Sequence, residues 1–165
     1  NPGPQVQVFE DDGRVFVKRA GKSGRRYDLI LLDAFDHEYI PEHLLTLEFL
    51  FEVKALLSAE GVLAANTFSS SRLYDHESVT YQAAFGVFYN LRVRMKNRVI
   101  LATMGELPTL ETITRNAALL EEHLQPLGFG RDWLAPLFST KRDWNPDARI
   151  LTDQYAPSNL LNAAY

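Results

Sequence analysis

A run of consecutive apolar residues constrains the fold of this chain more than any other sequence feature. Residues 29–32 are Leu-Ile-Leu-Leu and lie between Asp28 and Asp33. An unbroken apolar run of this length is typical of a strand buried on both faces, as in a parallel sheet covered by helices. Ligands of such open sheets bind outside the carboxyl ends of the strands, where Asp33 is placed. Asp33 is therefore a candidate for chemistry, and a turn or helix-capping aspartate is the alternative.

The segment before this run predicts a strand and a short helix. Residues 5–9 alternate between polar and apolar side chains, which is the pattern of a strand. Asp12 precedes Gly13 and is predicted to cap a helix over residues 14–19. Residues 20–26 are basic, contain glycine and are predicted to form a solvated loop.

The segment after the run completes a βαβ unit. Pro41 suits the first turn of a helix, which is predicted to reach about residue 57. Gly61 is predicted to end that helix in the left-handed conformation. Residues 61–68 then predict a second buried strand that ends in Asn66 and Thr67. A strand, a helix and a parallel strand in this order form a right-handed crossover.

The second half predicts a helix over residues 72–85, a hairpin and a further helix over residues 109–124. The hairpin strands are residues 87–95 and 98–104, with Lys96 and Asn97 as a two-residue connection. We therefore expect an α/β fold with three strands joined by helical crossovers, followed by a terminal hairpin. Such a sheet is open and mostly parallel, with its last strand antiparallel.

Composition excludes several classes of function. The 165 residues are 46% hydrophobic, which is enough for one globular domain with a sizeable core. The net charge of −4 gives no indication of a nucleic-acid partner. The absence of cysteine excludes disulfides, thiolate zinc sites and a cysteine nucleophile, and it is compatible with a cytoplasmic protein. No apolar run approaches the roughly 20 residues of a membrane span.

Five segments, in this order and spacing, resemble those of one family. They are Asp12-Gly13-Arg14, YDLILLDAFD from Tyr27, IPEHLLTLEF from Ile40, GVLAANTF from Gly61 and LTDQYAP from Leu151. Together they resemble spermidine synthase (polyamine aminopropyltransferase) and its close relatives. The resemblance implies a Rossmann-like fold of the class I S-adenosylmethionine-dependent methyltransferase type. It further implies aminopropyl transfer from decarboxylated S-adenosylmethionine, as co-substrate, to a diamine such as putrescine, without a metal.

The resemblance also implies roles for individual residues. Asp12, with Gly13 beside it, corresponds to the residue pair that binds the adenine amino group of the donor. Asp33 corresponds to the catalytic carboxylate, and Asp36 corresponds to a residue that helps to bind the diamine. Asn66 stands where the family often has glutamine, and it is a candidate substrate-binding residue. A positioned carboxylate can hold an ammonium group and accept its proton before the amine attacks.

Two departures from the family pattern leave alternatives open. His37 replaces the proline that usually follows the second aspartate, and no G-x-G sequence occurs anywhere. The glycine-rich loop after the first strand, and the acidic residue that holds the ribose, are therefore missing. We expect residues 1–165 to be the C-terminal portion of such a domain, to be inactive alone and to self-associate as a homodimer through the uncovered edge of residues 29–32. The alternatives are a methyltransferase of the same fold and a non-catalytic polyamine-binding or scaffold protein. His37 and His43 are predicted to be surface or loop residues.

Overall fold

The computed structural model describes residues 5–34, 41–68, 71–92, 97–128 and 135–162. Its strands are β1 (Tyr27–Leu32), β2 (Leu57–Phe68), β3 (Tyr89–Arg92) and β4 (Asn97–Thr103). They form one sheet in the order β1-β2-β4-β3. β1 and β2 are parallel, whereas β4 is antiparallel to both β2 and β3. Three strands therefore point the same way and the last strand is reversed, which confirms the predicted open α/β sheet.

Helices flank the described sheet. They are α1 (Gly13–Lys22), α2 (Leu47–Lys54), α3 (Leu73–Phe85), α4 (Leu110–Leu119), α5 (Glu121–Leu124) and α6 (Ser158–Asn162), with 3-10 turns at Glu42–Leu44, Gln125–Leu127 and Ala135–Leu137. The helix predicted over residues 109–124 is divided between α4 and α5 at Leu120, although Thr109 caps it as expected. Among the described residues, no helix combines the length and the apolar character needed to cross a membrane.

The core lies between the sheet, chiefly β2 and β4, and the helices α2 and α3, which contact each other. Its most deeply buried side chains include Phe49, Leu50, Val53, Leu63, Ala65, Ile100 and Ala102. The C-terminal segment closes this core through Trp144, whose ring stacks on Phe88 with centroids 5.2 Å apart. β2 is an interior strand, because it pairs with β1 on one side and with β4 on the other. Its register therefore fixes where the neighbouring strands end relative to it.

β1 is the edge strand of the described sheet, and the expectation that it is buried on both faces is wrong. Ile30 and Leu32 pack against the core, but Leu29 is 57% exposed and Leu31 is 68% exposed. Residues 5–9, predicted to be a strand, have no strand structure. Val6 and Val8 are 81% and 87% exposed. The alternating pattern of side chains was therefore not sufficient to form a strand.

The helix predicted from Pro41 to about residue 57 is shorter than expected. A 3-10 turn at Glu42–Leu44 precedes α2, which begins only after Thr46 has capped it through the backbone N–H of Phe49. Gly61 does not end this helix, because it lies inside β2. The pairing of β2 with β1 shifts between Leu57 and Val62, and a Cβ on Gly61 would lie 2.9 Å from backbone atoms of Ser58. Gly61 is therefore needed for close approach at an irregularity in the strand.

The predicted hairpin is confirmed, but its connection is not. β3 pairs with β4 in antiparallel register, with Arg92 opposite Arg98. Asn97, predicted to be a turn residue, is the first residue of β4 and pairs with Phe68 of β2. Lys96 and the other residues between β3 and β4 lie outside the described residues.

Candidate functional site

Asp33, the residue after β1, meets Asn66 in the last part of β2. The two strands are parallel and Leu32 lies opposite Ala65. Asp33 and Asn66, which follow these two residues, therefore lie side by side toward the carboxyl ends of the strands. Nδ2 of Asn66 donates a hydrogen bond of 2.9 Å to Oδ1 of Asp33. Asp33 is exposed, and within the described part of the chain no second donor contacts it. Two predicted site residues are thus brought together, with a carboxylate oriented by an amide.

Asp12 and Gly13 form the amino-terminal end of α1. Oδ1 of Asp12 accepts hydrogen bonds from the backbone N–H groups of Arg14 and Val15, at 2.9 and 3.0 Å. The pKa of Asp12 is lowered, mainly by the backbone N–H of Val15 and then by the side chain of His43. The predicted cap is therefore confirmed, and one oxygen of this ionised carboxylate is committed to the helix.

An apolar cavity of about 400 Å³ connects the helix end to the strand end. Gly13 lines one side of it and Asp33 another. The rest of its wall is mainly apolar and includes Phe16, Val17, Ile30, Leu32, Leu44 and Phe49. Its volume is in the range of small-molecule sites, in which a few polar groups orient a ligand held by apolar surface.

Arg14 joins α1 to α2 and to the C-terminal segment. Its guanidinium donates to both carboxylate oxygens of Glu52, at 2.9 and 3.0 Å, and to both oxygens of Asp153, at 2.7 and 2.9 Å. Only 8% of Arg14 is exposed. The hydrogen bonds from Arg14, and then that from Thr46, lower the pKa of Asp153. This cluster holds the first turn of α1, and with it Asp12, against the rest of the protein.

His43 contacts the free side of Asp12. It lies in the 3-10 turn Glu42–Leu44, and its Nε2 is 2.8 Å from Oδ2 of Asp12. Its carbonyl oxygen accepts a hydrogen bond of 3.3 Å from Arg14. The side chain is 44% exposed, so the predicted surface location is correct, but the contact was missed. A separation of 31 residues between His43 and Asp12 carries no local sequence signal.

Some predicted residues are not described, and some residues of the site were not predicted. Asp36 and His37 lie outside the described residues. Arg14 and Asp153 were not predicted as functional residues, although both lie in segments that carry the family resemblance. Within the described ranges, no group of three or more histidine or acidic side chains is arranged to hold a metal ion. The described site therefore consists of two ionisable carboxylates, an amide, an imidazole and an apolar cavity.

Comparison with curated proteins identifies a close relative. The chain is 50% identical over 162 residues to a polyamine aminopropyltransferase from Vibrio vulnificus strain CMCP6. The match covers 97% of this chain and 54% of that protein, so the chain spans about half the length of this relative. No protein-family model matches the chain.

Solved structures support the fold. Human methyltransferase-like protein 13, in complex with SAH, matches 94% of this chain and 66% of its own chain, with a TM-score of 0.62 and 22% identity. A probable spermidine synthase from Corynebacterium glutamicum ATCC 13032 matches 91% of this chain and 58% of its own chain, with a TM-score of 0.55 and 19% identity. These likenesses establish the Rossmann-like methyltransferase-type fold that the sequence predicted.

Proposed function

Because this chain is homologous to the polyamine aminopropyltransferases over nearly its whole length, we propose that it serves aminopropyl transfer from decarboxylated S-adenosylmethionine to a diamine such as putrescine. The observation that carries the proposal is the hydrogen bond between Asn66 and Asp33 at the carboxyl edge of the sheet. Ligands of this type of sheet bind at that edge. An oriented, exposed carboxylate there is the group that an amine nucleophile requires.

In this proposal Asp33 is the catalytic base. Oδ1 is occupied by the Asn66 amide, which orients the carboxylate and leaves Oδ2 directed to the substrate. The diamine is protonated in water, and an ammonium group has no lone pair with which to attack. Asp33 holds the ammonium and takes up its proton, either directly or by relay to water. Asp36, which follows three residues later, binds the other end of the diamine.

The reaction balances without an additional reactant. The lone pair of the neutral amine attacks the aminopropyl carbon bonded to the donor sulfonium, and a C–N bond forms. The C–S bond breaks, and its electron pair remains on sulfur, which becomes the neutral thioether of methylthioadenosine. The proton released from the amine passes to Asp33 or to water. The negative charges of the site favour both a cationic donor and a dicationic acceptor.

Asp12 and Gly13 are the proposed nucleoside contacts. Asp12 is ionised and held at the end of α1, so Oδ2 can accept from the amino group of adenine. Gly13 lines the apolar cavity that reaches Asp33. We place the adenine at the Gly13 end of this cavity, where Asp12 is the preceding residue, and the reacting sulfonium toward Asp33, with Asn66 beside that carboxylate.

The choice of donor tests the proposal. A protein that joins this chain to the part of the Vibrio vulnificus relative that it does not span supplies a full-length enzyme, called here the joined protein. It is incubated with putrescine and either decarboxylated S-adenosylmethionine or S-adenosylmethionine, and products are identified by mass spectrometry. We expect spermidine and methylthioadenosine from the decarboxylated donor. A methylated amine from S-adenosylmethionine would indicate the methyltransferase alternative, and no product from either donor would favour the scaffold alternative.

A further inference from the structure

The carboxylate of Asp12 is held at both oxygens. Oδ1 accepts the backbone N–H groups of Arg14 and Val15, as a helix cap does. Oδ2 lies 2.8 Å from Nε2 of His43. Capping requires only the first set of contacts. The contact with His43 therefore needs a separate explanation.

The contact is a hydrogen bond donated by the imidazole. An ionised carboxylate only accepts hydrogen bonds, so Nε2 of His43 must carry the proton. A neutral imidazole meets this condition in the tautomer that is protonated at Nε2, and the contact does not require a charged ring. The pKa of Asp12 is below its ordinary value of 3.8, which keeps the acceptor ionised. Nε2 of His43 is therefore the donor in this contact whether or not the ring is charged.

The backbone of His43 is itself fixed. Its carbonyl oxygen accepts from Nη1 of Arg14, whose guanidinium is bound to Glu52 and Asp153. The next residue, Leu44, lines the apolar cavity and lies 3.8 Å from the position that a Cβ on Gly13 would occupy. The 3-10 turn therefore places a donor on Asp12 and an apolar wall beside Gly13.

We propose that His43 is a positioning residue that fixes the rotation of the Asp12 carboxylate and so sets the preference of the site for a 6-amino over a 6-oxo purine. The inference rests on the proposed function, in which Oδ2 of Asp12 accepts from the exocyclic amino group. The terminal torsion of an aspartate is soft, and bonds at Oδ1 alone allow the carboxylate to rock. The Nε2–H of His43 uses one lone pair of Oδ2 and directs the other to the ligand. A 6-oxo purine presents an acceptor there and gains nothing from that lone pair.

The test is nuclear magnetic resonance on the full 165-residue chain. Methylthioadenosine and methylthioinosine are titrated separately to millimolar concentration, and the amide signals of residues 12–14 report binding. The titration of the Asp12 carboxyl carbon reports its pKa in the absence of ligand. The variants are His43→Ala, His43→Gln, which keeps an N–H donor, and His123→Ala, a matched control at an exposed histidine of α5.

We expect His43→Ala to raise the pKa of Asp12. It should also weaken methylthioadenosine about tenfold, because a misoriented Oδ2 loses its hydrogen bond from the 6-amino group of the ligand. Binding of methylthioinosine should change little, so the preference for the 6-amino purine falls. His43→Gln should recover much of that preference, and His123→Ala should match the wild type.

If the wild-type chain binds methylthioadenosine at residues 12–14, two results with the variants would overturn the inference. The first is an unchanged preference in His43→Ala. The second is an equal loss for both nucleosides that His43→Gln does not recover, which would indicate a general loosening of the turn. A wild-type chain whose amides at residues 12–14 do not respond to methylthioadenosine would instead refute the proposed nucleoside contact of Asp12, and the inference with it.

Discussion

Nδ2 of Asn66 donates a 2.9 Å hydrogen bond to Oδ1 of Asp33 and joins the residue that follows β1 to the neighbouring strand β2. The contact follows from the register, since Leu32 lies opposite Ala65, and Asp33 and Asn66 are the next residues along two parallel chain segments. The register of the two strands thus determines which amide orients the carboxylate. This relationship links the sheet topology to the proposed chemistry, and the predictions below start from it.

Removal of the Asn66 amide should impair turnover. We expect Asn66→Ala in the joined protein to lower kcat about tenfold, because a charged carboxylate loses one oriented hydrogen bond. Asn66→Gln retains an amide donor and should keep most of the activity. Steady-state kinetics with methylthioadenosine detection measures both variants. An Asn66→Ala enzyme with wild-type kcat would show that the amide does not orient the base.

The Arg14–Asp153 ion pair should contribute stability that depends on pH. The pKa of Asp153 is lowered from 3.8 in the folded protein, so its contribution is present above that value and is lost as the pH falls through the folded pKa. The side chain is 37% exposed, and we expect Asp153→Asn to cost about 1 kcal/mol at pH 7. Urea unfolding at pH 7 and pH 3 measures the free energy of unfolding of both proteins. The difference in this free energy between wild type and variant should be smaller at pH 3 than at pH 7. A difference that is equal or wider at pH 3 would contradict this assignment.

Replacement of only one residue of the buried ion pair Arg98–Glu77 should lower the free energy of unfolding strongly. Nη2 of Arg98 lies 3.1 Å from Oε2 of Glu77, and their side chains are 0% and 1% exposed. Arg98→Met should destabilise the chain by about 3–5 kcal/mol, because it removes one charge of a buried ion pair and leaves the desolvation cost of the other. The double variant Arg98→Met, Glu77→Leu removes both charges and should be more stable than the single variant. Urea unfolding measures the free energy of unfolding of both variants. A double variant that is less stable than Arg98→Met would contradict the prediction.

The open edge of β1 should make the isolated chain self-associate. Leu31 is 68% exposed on an edge strand, and exposed apolar edges pair with other chains. We expect a dimer of the wild-type chain at low micromolar concentration and a folded monomer for Leu31→Lys, whose Tm, unlike that of the wild type, does not depend on protein concentration. Leu160→Lys is the matched control, since Leu160 is 80% exposed on α6. Size-exclusion chromatography with light scattering measures the mass, and a monomeric wild-type chain would reject the homodimer.

The sequence predicted the elements that have strong local patterns. The apolar runs at β1 and β2 gave their parallel pairing, and the position of Asp33 and Asn66 at one edge followed from it. Asp12 was predicted as a cap because capping residues act within one turn. Chain-local signals of this kind were sufficient for the helix cap and for the strands that carry Asp33 and Asn66, whereas the roles of these residues follow from the family resemblance and stay predictions.

The remaining features depend on contacts that are distant in sequence. Alternation at residues 5–9 predicted a strand, but a strand also needs a pairing partner, and these residues do not pair with the described sheet. Gly61 resembles a helix cap in sequence, and only the shifted register of β2 shows why glycine is needed there. The contact of His43 with Asp12 arises from packing of the 3-10 turn against α1, which no local pattern encodes.

The most direct test of the central claim compares two aspartates of the same strand region in the joined protein. Asp33→Asn removes the proposed base, whereas Asp28→Asn makes the same change at the other end of β1, where Asp28 accepts a hydrogen bond from Ser58. Aminopropyl transfer to putrescine is measured for both, with melting curves to show that each variant folds. We predict that Asp33→Asn lowers kcat at least about 100-fold, as for loss of a general base, and that Asp28→Asn retains wild-type turnover. An Asp33→Asn enzyme that folds and turns over at the rate of the Asp28→Asn enzyme would contradict the account.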